Sequence, residues 1–214
     1  MINKYISDYC NGFDFVFKEH ISSIIDGINI EADVFEHNDR FNFRTKAHFV
    51  LTKGKYSYEY DAVDQISMGK CFSYVNYCGE RCICLSKSLY GFTFINAETL
   101  CEVYSYFPDK VLSGGESFIV TSACSFGSLI IFDGCYWAAP YTTFAYDYKN
   151  GLFADLLEKT DLESSDKTII NNDTIIIIGK NEQDEEKSVQ FTEEELNHYL
   201  LENGKKEFNS KYYD

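Results

Sequence analysis

The sequence predicts a mainly β (α+β) chain, an antiparallel β-meander with one helix near each end. Three observations carry that prediction. First, Phe41, Phe43, Thr45, Ala47, Phe49 and Leu51 alternate with Asn42, Arg44, Lys46, His48 and Val50, the two-residue period of a half-buried strand. Second, two stretches repeat each other loosely, Tyr90 to Tyr104 and Pro140 to Phe153. In each, an aromatic run reaches a short polar residue, Asn96 or Asp147, passes a polar turn and returns as a second apolar run. The two anchors lie 51 positions apart, and a repeat of that period made of hairpins points to stacked meanders. Third, aromatic residues make up 17% of the 214-residue chain, nearly all of them Tyr and Phe with one Trp. Such rings bury large apolar area each, so the central part has a core to build and is not a disordered segment.

The elements follow in chain order. Phe13, Val16, Phe17, Ile21 and Ile24 recur at three- and four-residue spacing, which predicts a helix over 13–26 that Gly27 ends. Ile30, Ala32 and Val34 then alternate with Glu31 and Asp33 as a strand. The alternating run and its return through Tyr56, Tyr58 and Tyr60, joined by Lys53-Gly54-Lys55, predict a hairpin over 41–60. Residues 71–157 read as a meander of strands near 72–77, 81–86, 90–96, 100–106, 117–123, 128–133, 142–148 and 152–156, punctuated by glycine and Asp or Asn turns. Asp161 to Asp166 reads as a loop. The continuous β-branched run 174–178 predicts a strand buried on both faces. Asn181 to Lys187 is a charged turn. Thr192-Glu193-Glu194-Glu195 is a capping box that opens a helix over 193–203, with Gly204 at its end. Residues 1–204 thus form one domain, and 205–214 are expected to fray.

The paired segments Asn96-Ala97-Glu98-Thr99-Leu100 and Asp147-Tyr148-Lys149-Asn150-Gly151 each close one strand on a short polar residue and open the next. In this the stretch 71–157 resembles the blades of a β-propeller. The Gly-His and Trp-Asp signatures of the WD repeat do not occur in it, and too few residues remain for a full ring of blades. The resemblance implies an open or incomplete propeller-like meander. It also implies a binding role by analogy, because blade-type proteins are mostly interaction scaffolds.

Charge narrows the partner class. The formal net charge is −15, which disfavours direct binding to nucleic acid, since phosphate contact needs Lys and Arg. The excess is concentrated late, with sixteen acidic against seven basic side chains over 151–214. Such a chain suits a basic protein partner, and acidity also serves solubility. Eight cysteines occur, most of them inside apolar runs, and Met1-Ile2-Asn3-Lys4-Tyr5 has no apolar core of a signal peptide. Free thiols in a reducing, cytoplasmic setting are therefore expected. No apolar run is long enough to cross a membrane as a helix.

Several constellations could carry chemistry. Cys78, Cys82 and Cys84, with Cys71 nearby, could supply thiolates to zinc, yet the paired two-residue knuckle spacing is missing, and small buried thiols are the plainer reading. No metal or other cofactor is expected, because no P-loop, dinucleotide fingerprint, H-E-x-x-H or G-x-S-x-G occurs. A Cys–His pair could be drawn from the four histidines, for instance Cys135 with His48. Asp133, ahead of Gly134, could be one carboxylate of a hydrolase or a turn residue. Arg44, Lys46, Lys53 and Lys55 form a basic stripe that could meet phosphate or simply wet a sheet face. The loop Tyr136, Trp137 and Tyr141 offers rigid aromatic anchors. With the acidic residues Asp184, Glu185 and Glu186 it makes the expected partner-binding set. The expected function is a non-catalytic protein that binds a basic protein partner, such as an inhibitor or immunity-type protein. A hydrolase-like enzyme working near 133–141, and a structural or virion component, are the alternatives.

Overall fold

Asp26 and Gly27 both take positive φ, 49° and 76°, in the computed structural model, which describes residues 1–39, 43–64, 72–115, 117–136 and 140–208. Positive φ at both central residues is the two-residue hairpin turn whose twist matches paired strands. It joins β1 (Val16–Ile25) to β2 (Ile28–Asn38), with Ile25 opposite Ile28. The helix expected over 13–26 is thus a strand over most of its length. A β-bulge between Phe17 and Glu19 shifts the alternation by one residue, which turns a strand's spacing into one that imitates a helical stripe. The β-branched Val16, Ile21, Ile24 and Ile25 favour the extended form. The N-terminal helix lies upstream instead, as α1 (Ile2–Cys10).

The hairpin of β3 (Phe43–Lys53) and β4 (Tyr56–Val63) forms through the Gly54-Lys55 turn, and β1 to β4 make one antiparallel sheet in chain order. Ala47, Phe49 and Leu51 are buried on the expected face of β3, and the first two residues of the expected hairpin lie outside the described residues. Helix α1 packs along the edge strand β4, a usual way to cover an open sheet edge. Arg44 holds it there. Its Nη1 donates to the Tyr9 carbonyl at 2.6 Å and its guanidinium lies 4.5 Å from the Tyr9 ring and 4.0 Å from the Phe13 ring. A cation at a helix C-terminus also meets the negative end of the dipole.

The expected meander forms with all eight strands, divided into two sheets. The second sheet is β5 (Ser73–Tyr77), β6 (Glu80–Leu85), β7 (Phe92–Asn96) and β8 (Glu102–Tyr106). A short helix α2 (Asp109–Leu112) leads to the third, β9 (Ile119–Phe126), β10 (Leu129–Cys135), β11 (Tyr141–Asp147) and β12 (Leu152–Asp155). The 51-residue repeat has one physical cause. Asn96 Oδ1 accepts from the amides of Glu98 and Thr99, both at 2.9 Å, and Asp147 Oδ1 accepts from those of Lys149 and Asn150 at 2.9 and 3.3 Å. Each side chain therefore builds the turn between the third and fourth strands of its sheet.

The fourth sheet is β13 (Leu162–Ile170), β14 (Thr174–Asn181) and β15 (Glu186–Thr192), followed by α3 (Glu193–Asn203). The segment 161–166, expected as a loop, enters β13 at Leu162, where pairing with β14 overrides its polarity. Ile175 and Ile177 are fully buried, while Ile176 and Ile178 are half-buried. The two-face burial expected of 174–178 is thus a one-face burial, because this sheet ends the stack. The capping box forms as expected: Thr192 Oγ1 accepts from the Glu195 amide at 3.2 Å, and Glu195 Oε2 accepts from the Thr192 amide at 2.8 Å.

Three buried clusters tie the four sheets in order. Ile30, Phe49 and Leu51 of the first sheet pack on Ile83, Leu85 and Ile95 of the second. Cys82, Cys84 and Phe94 on the opposite face of the second sheet pack on Phe132, Phe144 and Tyr146 of the third. Leu129, Ile131 and Ala145 on the far face of the third meet Ile175, Ile177, Leu196 and Leu200. The central strands of the two inner sheets, β6, β7, β10 and β11, are buried on both faces over most of their length, which is why they read as continuous apolar runs. The result is a mainly β, propeller-blade-like stack of antiparallel meanders. The chain end does not fray where expected. Lys205 and Phe153 exchange backbone hydrogen bonds at 2.8 Å, and Phe208 is fully buried in the cluster between the second and third sheets. Residues 209–214 of the expected tail lie outside the described residues.

Candidate functional site

The residues expected to contact a partner separate into two places. Asp184 and Glu185 sit on the β14–β15 turn, Glu186 opens β15, and Glu182 through Lys187 are all exposed. The turn is held by one side chain. Asn181 Oδ1 accepts from the Gln183 amide at 3.1 Å and the Glu185 amide at 2.9 Å, and its Nδ2 donates to Glu185 Oε2 at 3.1 Å. Lys180 Nζ lies 2.7 Å from Asp184 Oδ1, and Lys187 Nζ lies 2.7 Å from Asp161 Oδ2. The acidic side chains therefore project from a fixed backbone.

The aromatic set is smaller than expected. Tyr141 is 48% exposed at the start of β11, whereas Tyr136 is 3% exposed. Tyr136 packs edge-on to Phe118 and Phe144, with ring centroids 5.7 and 6.4 Å away. Strand β10 ends at Cys135, and Tyr136 keeps the inward side that Ile130 and Phe132 take in the strand, so its ring enters the core. Tyr136 is a packing residue, not a contact anchor. Trp137 lies outside the described residues.

Asp133 faces hydroxyls. Its Oδ1 accepts from Thr143 Oγ1 at 2.9 Å and Thr168 Oγ1 at 2.7 Å, and its Oδ2 accepts from Ser122 Oγ at 3.1 Å. Ser165 lies 2.9 Å from the Thr143 hydroxyl. Since Thr168 and Ser165 belong to β13, this network stitches the third sheet to the fourth. The hydroxyl groups here play the part of a seam.

Cys82 and Cys84 share a face, as their spacing requires, and both are buried in the aromatic cluster. Burial pushes the Cys82 thiol up to about 11. Cys78 is exposed on the β5–β6 turn with φ 52°, and Cys71 lies outside the described residues. Cys135 and His48 fall on the third and first sheets and do not form the pair considered from sequence. The basic stripe is engaged within the molecule. Arg44 holds α1, Lys46 Nζ lies 4.8 Å from the Phe15 ring, and Lys53 Nζ donates to the Ala97 carbonyl at 2.9 Å.

One site escaped the sequence reading. The register places His20, Asp33, His48 and Asp61 opposite one another across β1 to β4. His20 Nδ1 lies 2.8 Å from Asp33 Oδ1, and His48 Nδ1 lies 2.9 Å from Asp61 Oδ1. Beside this row, a cleft of about 380 Å³ under α1 is lined by Cys10, Lys46, His48 and Asp61. A second cleft of about 390 Å³ shares Asn3, Ile6 and Asp61 and reaches Lys87 and Glu102. Both are large enough for a small ligand. There Tyr58 Oη and Lys87 Nζ donate to Glu102 Oε2 at 2.5 and 3.0 Å. Burial alone would raise the Glu102 carboxyl, but these two bonds and the Lys87 charge hold it below the usual range. The signal was present in the Lys53-Gly54-Lys55 turn, because that turn sets His48 opposite Asp61. Nothing local to Cys10 showed that α1 would lie over the same strands.

No family model and no curated protein matches the sequence. Among solved structures, the chain is similar to a crystal structure of HIRA(644-1017), with TM-score 0.37 and 8% identity over 82% of this chain and 54% of that one. It is also similar to a GH43 endo-arabinanase from Bacillus licheniformis, with TM-score 0.34 and 8% identity over 82% of this chain and 73% of that one. The chain spans about half the length of the first of these. Likenesses at this level carry no argument about function.

Proposed function

We propose that this chain is a non-catalytic protein-binding module whose partner is a basic protein, and that in the finer form of this reading it acts inside the cell as an inhibitor or immunity-type protein. The observation that carries the reading is the ordered acidic turn. Glu182, Asp184, Glu185 and Glu186 are exposed on a backbone that Asn181 already fixes. A prearranged turn loses little conformational freedom on binding, so more of its electrostatic attraction appears as affinity. The net charge of −15 adds long-range steering toward a cationic surface, which raises association rates. Tyr141 is the aromatic anchor that this reading retains.

The test is affinity capture from native extract with the wild-type chain and with Glu185→Gln/Glu186→Gln, each checked for an unchanged melting temperature. A basic protein held by the first and lost or weakened with the second supports the reading. Equal capture by both, or capture of acidic proteins alone, overturns it.

A further inference from the structure

We propose that strand β1 is a self-pairing edge, through which two copies of this chain join antiparallel about a two-fold axis at Ile21. The first observation is the open edge. The first sheet runs β1-β2-β3-β4. Helix α1 packs along its β4 edge, whereas among the described residues β1 has β2 as its one paired strand. The outward N–H and C=O groups of such a strand are a template for another. Three of its side chains are large, apolar and in water: Val16 is 70%, Phe17 54% and Ile24 72% exposed.

The second observation is that the usual guards of an edge are turned inward or set aside. A lysine or a bulge normally keeps a second strand away. Lys18 sits in the bulge of β1, but its Nζ donates to Glu36 Oε1 on β2 of its own chain. His20 likewise turns to its own sheet, with Nδ1 2.8 Å from Asp33 Oδ1. The bulge lies near one end, and Glu19 to Ile25 keep an unbroken register with β2.

The third observation is self-complementarity. Val16, Phe17, Glu19, His20, Ile21, Ser22, Ser23, Ile24 and Ile25 each stand opposite one residue of β2, and Ile21 is the middle of this series. An axis there sets Val16 opposite Ile25 of the second copy, Phe17 opposite Ile24, Glu19 opposite Ser23 and His20 opposite Ser22, while Ile21 meets itself. Every apolar side chain of the strand then meets an apolar one, and no like charges meet. Moving the axis by one residue sets Ile24 against His20, or Phe17 against Ser22 and Ile21 against Glu19. Each contact is made twice across the axis. The edge is short, so the dimer is a reversible one rather than a permanent assembly. The acidic turn lies on the fourth sheet, at the other end of the stack, and stays free.

The test is sedimentation equilibrium of the full chain from micromolar to millimolar concentration. The parent should pass from monomer to dimer. Ile24→Lys and Phe17→Glu should each raise the dissociation constant about 100-fold, the scale of two apolar side chains no longer buried. Both residues are more than half exposed in the single chain, and an unchanged melting temperature checks the fold of each variant. Mixing the two variants tests the register. The new glutamate of one chain then faces the new lysine of the other, one Phe17–Ile24 pair remains, and a heterodimer should return. A parent that stays monomeric to millimolar concentration, including one that pairs only with a foreign peptide, would overturn the second copy as occupant. Folded variants that dimerise as the parent does would overturn β1 as the surface. A mixture no more associated than its separate components would overturn the axis at Ile21.

Discussion

Phe208 carries a large share of the packing although it stands near the chain end. It is fully buried, and its ring centroid lies 4.3 Å from that of Phe153, 4.8 Å from that of Phe118 and 5.1 Å from that of Phe144. Phe208→Ala should cost about 3–5 kcal/mol, the range for emptying a buried aromatic site, read as a lower midpoint in denaturant with little change in slope. A midpoint within error of the parent would mean that the ring is not part of the core. Sequence offered no sign of this, because an isolated Phe among Lys, Glu and Asn has no periodicity to reveal its burial. Glu193 is the second informative residue. Its Oε1 accepts from the Ser128 amide at 2.7 Å, and hydrogen bonding from the Ser128 side chain, then from this amide, holds its carboxyl below the usual value of 4.5. The folded state therefore binds fewer protons than the unfolded one as pH falls below that value. The stability Glu193 contributes is full above the unfolded value and lost as pH drops through the lower folded one. Glu193→Gln should flatten the acid limb of the stability curve, and an identical limb in parent and variant would refute the assignment.

Among the elements, hairpins were legible and the N-terminal segment was not. Hairpin signals are local. Gly54, Asn96, Asp147 and the Thr192–Glu195 box each act within a few residues of themselves, and each does in the structure what its position predicts. The same kind of signal stood at Asp26-Gly27, but the bulged strand before it imitates a helix and drew the turn into a helix cap. Helix α1 carries an apolar stripe of Ile2, Tyr5, Ile6, Tyr9 and Cys10 at helical spacing, but it is short and none of its residues is fully buried. It is held by tertiary contacts, chiefly Arg44 and the hydrogen bond from Tyr9 Oη to Asp64 at 2.5 Å. Arg44→Ala should loosen α1 alone. Hydrogen exchange should show faster amides over 5–10 with β2 and β3 still protected. Uniform loss of protection would instead make Arg44 a residue of the global fold.

For the whole molecule, the stack of four sheets follows from which faces are apolar. The central strands of the two inner sheets are apolar on both faces and the outer sheets bury one face each, so the order along the chain becomes the order in space. The candidate site was only partly readable for the same reason. The acidic turn is a local feature and stands where it was expected. Tyr136 was misjudged because it shares the inward side of Ile130 and Phe132, and the His48–Asp61 cleft needed a cross-strand register and a helix brought from a distance. The central functional claim concerns this whole charged surface. Its most direct measurement is the association rate of the captured basic partner across a salt series, for the parent and for Glu185→Gln/Glu186→Gln. The account predicts a rate that falls as salt rises, with a slower rate and a flatter dependence in the variant, because exposed charges act over about 8 Å at physiological salt and are screened beyond it. A rate indifferent to salt and identical in two equally stable proteins would contradict it.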